Sequence, residues 1–349
     1  MEKNLISGEF FNELIKRAGD IERTMAFSDG NDHRLIKALD YFMDKNKSNY
    51  ILIGDENKML DNIKDAGIKN TDNFMLVDPR NSKRFEEFRE IIKESFIKRN
   101  KTLTDEQLKI NTLNNSYWAS VLLKNNEADC AVGGSISSTA DLMRAVINVL
   151  GLLPGRKFLS GAAFVDVPDC IYGLNGKFCV TDPAIIPKPN QDQLLNMVLS
   201  SYETAKSVFR EEPIVAMLSY STWGSADGEE IEKIRNVVEI IKNTRPDILI
   251  DGELQLDAAI VPEVAKIKVP TSIVGGRANV LVFPDLNAAN IGYKIMQRLA
   301  KADVCGTVVQ GAAKPFNDLS RGCLVQDMVT LIAMTLLQTK GLEDSRQSN

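Results

Sequence analysis

Histidine is nearly absent: the 349-residue chain holds one, His33. A Ser-His-Asp or Cys-His mechanism would have to run through that single residue, so general-base work falls to a carboxylate. Cysteines are few and scattered, at Cys130, Cys170, Cys179, Cys305 and Cys323, with no CxxC pair. An odd set at such spacing argues against both a disulfide framework and structural zinc. No apolar run approaches the roughly 18 residues needed to cross a bilayer. The opening MEKNLISGEFFNELIKRAGDIERT alternates charged and apolar residues at helical spacing, without the basic and apolar regions of a signal peptide. A cytoplasmic protein with no membrane partner is expected. Excess positive charge is lacking as well, the net charge being −5. Nucleic acid is therefore not an expected partner, and any polyanionic ligand must be held by a few local cations. Walker A and GxGxxG motifs are both missing.

What remains has a clear texture. With 44% hydrophobic and 26% charged residues over this length, the chain exceeds one ordinary core and fits two globular domains. Short apolar runs (YILIGD, NFMLVD, ADCAVGG, IVAMLSYS, DILIDGEL, TSIVGG, VLVFPD and GTVVQG) alternate with longer helix-like stretches, and several end in Gly, Asp or Ser. This alternation predicts an α/β protein with mostly parallel sheets, whose ligands lie beyond the carboxyl ends of the strands. Helices are expected over RLIKALDYFMDKN, FEEFREIIKESFIKRN, DEQLKINTLNNSYWASVLLKNN, QDQLLNMVLSSYETAKSVF, EIEKIRNVVEIIKN, NIGYKIMQRLAKA and the last run, Asp327 to Gln338. Proline and glycine interrupt the pattern near GLLPGRKFLSGAAF, and it changes again near KADVCGTVVQG. Read as hinges, these breaks give a first α/β domain of residues 1–154 plus 310–349 and a second α/β domain, 155–309, inserted into it.

Four stretches carry candidate chemistry. GGSISSTADLMR, residues 133–144, follows an apolar run and opens a helix-like one. Its glycines allow a tight turn, and its hydroxyls and N–H groups can hold an anion, with Arg144 as a nearby cation. A plain serine-rich N-cap is the commoner explanation on local sequence alone. The same holds for SYSTWGSADGEE, residues 219–230. In DGELQLDAAIVPEV the acids Asp251, Glu253 and Asp257 cluster after an apolar run, but no histidine is near, and no metal is expected. KPFNDLSRGCLVQD, residues 314–327, gathers charge and amide groups before the last apolar run, and Asp327 interrupts Leu324, Val325, Met328 and Val329 where an acid is least expected. Burial would raise its pKa and Arg321 would lower it, the pattern of a tuned general base.

The stretch from DGELQLDAAIVPEV to KPFNDLSRGC, together with VAMLSYSTWGSA, VPDC, GGSISSTADLMR and AFSDGNDHR upstream, closely resembles the phosphate acetyltransferase and phosphate butyryltransferase family. That resemblance implies two α/β domains, the second inserted into the first, with the active site in the interdomain cleft. It implies reversible conversion of acetyl-CoA and phosphate to CoA and acetyl phosphate by direct attack in a ternary complex. On the family's pattern Arg321 is the catalytic cation, Ser320 supplies a hydrogen bond and Asp327 takes the CoA thiol proton. Arg144, Ser137, Ser138, Thr139 and Asn317 would meet phosphate or acyl phosphate, and Arg34, Lys98 and Arg277 would meet CoA. Cys170, in VPDC, gains no nucleophilic role. The implied partners are CoA, acyl-CoA, phosphate and acyl phosphate, with no tightly bound cofactor, in a homodimer. Two departures stand out: Ser137 occupies the place of a family histidine, and Lys98 that of an arginine, with Arg99 one residue on. Both bear on substrate grip and acyl choice. The alternatives are a phosphate butyryltransferase acting on a longer acyl-CoA, and a non-catalytic paralogue that binds CoA or acyl phosphate.

Overall fold

The computed structural model describes residues 8–43 and 45–347. The first seven residues of the opening tract, position 44 of the RLIKALDYFMDKN stretch and the outer limits of the domain assignment, 1 and 349, lie outside them. The chain divides into two compact units: Phe11–Gly155 with the segment from Ala312 onward, and Arg156–Gly311 with residues 8–10. The strands in chain order are β1 (Thr24–Phe27), β2 (Asn49–Ile53), β3 (Phe74–Val77), β4 (Cys130–Gly133), β5 (Ser160–Asp166), β6 (Lys177–Thr181), β7 (Ile214–Leu218), β8 (Leu249–Leu254), β9 (Val280–Val282), β10 (Asp303–Gln310) and β11 (Phe316–Asp318).

The first unit carries a five-stranded sheet in the order β11-β4-β1-β2-β3, parallel throughout. From β1 the chain steps outward to β2 and β3, then returns to place β4 on the other side of β1. The strand order therefore reverses between β1 and β4, and at such a point a parallel sheet leaves a crevice beyond its strand ends. The last helix, Val325–Gln347, is buried along Met328, Val329, Leu331, Ile332, Met334 and Leu336. Apolar on all sides over these turns, it is a core helix, packed on β4 and on the helix His33–Met43. The single helix expected over DEQLKINTLNNSYWASVLLKNN is two, Asp105–Leu113 and Asn115–Lys124. Asn114 between them is extended and accepts from the Ser116 N–H, so a good capping residue ends one helix and starts the next.

The second unit carries a six-stranded sheet in the order β10-β5-β6-β9-β7-β8. Its β6-β9-β7-β8 part is parallel, while β5 runs antiparallel to both β6 and β10. TSIVGG is a turn and not a strand. Gly276 there has a φ of +76°, and a Cβ on it would come within 2.6 Å of the Pro262 Cα. Leu218, Leu254, Val274 and Leu281 lie in one core cluster of this unit.

Candidate active site

Two of the stretches singled out in the sequence leave the sheet side by side. β11 pairs with β4 in register Asp318↔Gly133, and the Leu319 N–H donates to the Gly133 carbonyl at 2.7 Å. The loop 134–138 and the turn 319–324 therefore start from the carboxyl ends of neighbouring parallel strands. Asp29, two residues past β1, reaches the same loop, so the group sits at the reversal of strand order. Gly134 is where only glycine fits: its φ is +91°, and a Cβ would stand 2.0 Å from Asp318 Oδ1.

Each hydroxyl of the 137–139 run is directed to a carboxylate. Ser137 Oγ donates to Asp29 Oδ2 at 3.3 Å, Ser138 Oγ to Asp141 Oδ2 at 2.7 Å and Thr139 Oγ1 to Asp318 Oδ2 at 2.6 Å. Ser138 also accepts from the Asp141 N–H and so caps the helix Thr139–Ala145. Asp29 accepts in addition from Ser135 Oγ and the Ile136 N–H, both at 3.4 Å. Burial raises the Asp29 carboxyl pKa, and these hydrogen bonds only partly oppose the rise. Burial pushes Asp318 up to about 6, against the Thr139 hydrogen bond and with the help of the Asp29 charge. Arg144 pairs with Asp141 at 2.5 Å and is otherwise well exposed.

Arg34 ties the site together. Its guanidinium donates to the Asp32 carboxylate, to the Ser135 carbonyl at 3.0 Å, and to the Arg321 and Cys323 carbonyls at 3.1 and 2.7 Å. All five of its N–H groups are thereby engaged. Burial would push Asp32 up, but the Arg34 hydrogen bonds and charge outweigh it and lower the pKa. One side chain thus fixes the 135 loop to the backbone of the 321–323 turn. On that turn Ser320 and Arg321 are exposed. Asp327 Oδ2 accepts from the Leu324 N–H at 2.7 Å, closing the first turn of the last helix as an N3 acid does. Cys323 is buried, which pushes its thiol up to about 11; near neutral pH it is not a thiolate.

Among known families, the model described as phosphate acetyl/butaryl transferase matches residues 9–336. The chain belongs to this family. It is 40% identical over 327 residues to a phosphate acetyltransferase of Thermoanaerobacterium thermosaccharolyticum, a match covering 94% of this chain and 98% of the relative. It is also 40% identical to one of Clostridium acetobutylicum over 319 residues, 91% and 95% of the two chains. Among solved structures, a phosphotransacetylase from Streptococcus pyogenes superposes with a TM-score of 0.87 at 32% identity, over 96% of this chain and 99% of that one.

For a phosphate acetyl/butaryl transferase the remaining candidates are unevenly placed. Asn317 is fully buried and donates to Thr335 Oγ1 and Gln338 Oε1 at 2.8 and 2.6 Å, which ties β11 to the last helix. Lys98 is exposed just past the helix Phe85–Ile97. Arg99, also exposed, lies beside Gly151. In the second unit Arg277 donates to the Ile273 carbonyl and lines a cavity of about 420 Å³ with Tyr172, Pro262 and Glu212. The acids of DGELQLD have protein partners: Asp251 meets Lys242 and Ser272, Glu253 meets Arg235, and Asp257 meets Lys268. Asp29, Asp32 and Asp318 were not singled out from the sequence. Asp318 was visible beside Ser320, and Asp29 and Asp32 in the run SDGND, but the short TMAF strand that positions the latter pair carries too little pattern to be recognised.

Proposed function

We propose that the chain transfers an acetyl group reversibly between CoA and inorganic phosphate, acetyl-CoA plus phosphate giving CoA plus acetyl phosphate, by direct attack in a ternary complex. The observation that carries this reading is the turn 319–324. It holds Ser320 and Arg321 exposed beside the hydroxyl-rich loop after β4, at the reversal of strand order. The naming of full-length relatives as phosphate acetyltransferases supports the same reaction.

In this reading the Arg321 guanidinium faces both the phosphate oxygens and the oxyanion that develops on the thioester carbonyl, where its fixed fork of donors suits either. Ser320 adds a hydrogen bond. Asp327 takes the thiol proton when CoA attacks acetyl phosphate and returns it in the other direction. Thiol pKa values lie near 8.5, so a positioned carboxylate is useful at neutral pH. The Leu324 N–H that Asp327 holds would orient it for this work. Ser137, Ser138, Thr139 and Arg144 are the groups proposed to meet phosphate, and Arg277 and Lys98 the cations proposed to meet CoA. Arg34, with its donors already engaged, acts by holding the 321–323 turn. CoA is a substrate, not a resident cofactor. A homodimer is proposed through the helix Leu286–Leu299, whose Ile291, Ile295 and Leu299 form an exposed apolar stripe at four-residue spacing, as an interface helix would.

The test is CoA-dependent acyl phosphate formation across a series of acyl-CoAs. Acetyl-CoA should give the highest kcat/KM, with discrimination of about 1 to 3 kcal/mol for each methylene the pocket does not accommodate. A preference for butyryl-CoA would replace the acetyl assignment, and inactivity with every acyl-CoA would leave a binding paralogue.

A further inference from the structure

A hydroxyl has one proton and two lone pairs. Where the proton is committed to an ionised carboxylate, only a lone pair is left to offer a ligand. Thr139 is in this state. It is exposed, yet its Oγ1 donates inward at 2.6 Å to Asp318 Oδ2, and Asp318 is only 6% exposed. The other carboxylate oxygen, Oδ1, is buried without a hydrogen-bond partner. Buried polar atoms are almost always paired, so an orphan of this kind asks for a reason. Packing does not supply it: the carboxylate is pressed against the loop at Gly134, and the nearby charge is the like charge of Asp29. Ser137 and Asp29 are a weaker version, at 3.3 Å with further donors on the same oxygen.

We propose that Asp318, acting through Thr139, makes this loop select a tetrahedral oxyanion that still carries a proton. The P–O–H of hydrogen phosphate donates to Thr139 Oγ1, whose own proton is held by Asp318. Sulfate has no proton to give and meets the Thr139 lone pair with one of its own. Asp318 is a specificity-determining positioning residue and does not itself touch the ligand. The inference rests on reading the 133–144 loop as the oxyanion site of the acyl-transfer reaction.

The test is calorimetric titration of the full chain with inorganic phosphate and, separately, sulfate at about pH 7.5, for wild type, Asp318→Asn, Thr139→Ser and Thr139→Val. Wild type should bind phosphate about tenfold or more tighter than sulfate, and Thr139→Ser should keep that ratio. Thr139→Val should bring it toward one by weakening phosphate. Asp318→Asn should bring it toward one by strengthening sulfate, because an amide N–H can donate to Thr139 and turn the hydroxyl proton outward. A ratio unchanged in Thr139→Val, which replaces an exposed residue without opening the core, overturns the proposal whether or not Asp318→Asn folds. So does an unchanged ratio in a folded Asp318→Asn. Either result leaves the acyl-transfer reading standing if acyl phosphate is still formed. Failure of wild type to bind phosphate at all would overturn the loop reading beneath it.

Discussion

The two units bury acids at strand ends in opposite ways. In the second unit Glu253, 1% exposed at the end of β8, receives the Arg235 guanidinium at 3.0 Å on both oxygens, with the Gly224 N–H and Ser221 Oγ beside it. Burial would push its carboxyl up, but these partners bring it down to about 2. In the first unit Asp318 ends β11 with a hydroxyl on one oxygen and nothing on the other, and burial carries it up to about 6. Asp182 of the second unit is also buried and raised, yet both of its oxygens are taken by the N–H groups of residues 184 to 186. A buried acid with its oxygens fully partnered belongs to the scaffold. One left half-partnered where the strand order reverses carries an oxygen that the scaffold does not use.

The comparison can be broken most sharply where activity is most exposed. Arg321→Ala removes a solvent-exposed cation and empties no core, so kcat should fall by about 10²-fold or more with thermal stability unchanged. Near-normal kcat would remove the 319–324 turn from the reaction. For Asp327→Asn, kcat in the direction that forms acetyl-CoA should drop by about two orders of magnitude. That loss should narrow as pH rises toward the thiol pKa, about 8.5. If the carboxylate merely complements the helix start, the variant instead loses about 0.3 to 1 kcal/mol of stability at full activity. A smaller effect separates the two arginines once paired as CoA contacts. Arg277→Ala should raise the KM for CoA more than it lowers kcat, the mark of lost uniform binding. Arg34→Ala should lower kcat and thermal stability instead, since it frees the 321–323 turn. The same KM-dominated change in both would return Arg34 to the CoA site.

Much of the architecture was legible because apolar runs such as YILIGD and IVAMLSYS hold strands long enough to carry a pattern. β1 and β11 were not. TMAF is four residues flanked by charge, and FND breaks the apolar pattern with two polar side chains that meet the last helix and Thr139. β5 and β6 were hidden for a different reason, since they follow the proline- and glycine-interrupted stretch read as a hinge, and β5 adds antiparallel pairings to an otherwise parallel sheet. Ser137, Ser138, Thr139 and Arg321 could be named from the pattern of residue types. Their orientation could not, because whether a hydroxyl offers a proton or a lone pair depends on partners more than a hundred residues away, as Asp29 and Asp318 are. Asn317 shows the converse: an amide next to the 319–324 turn in sequence faces the core.

The most direct test is thermal stability against pH for Asp318→Asn and Glu253→Gln beside wild type. Folded Asp318 keeps its proton to about pH 6, whereas the unfolded chain releases it near 3.8. Its contribution is therefore full below pH 3.8 and lost as pH rises to about 6, a difference worth up to about 3 kcal/mol. Asp318→Asn, always neutral, should escape that loss, so its stability relative to wild type should climb between about pH 4 and 6 and then level off. Glu253, lowered to about 2 from 4.5, contributes fully above pH 4.5 and fades only as pH falls toward 2. Glu253→Gln should therefore be less stable by several degrees across the neutral range, with the deficit shrinking only in acid. Opposite signs in the two variants are the expected result; two variants that lose stability in parallel, with the same pH dependence, would contradict the distinction between the half-partnered Asp318 and the charge-paired Glu253.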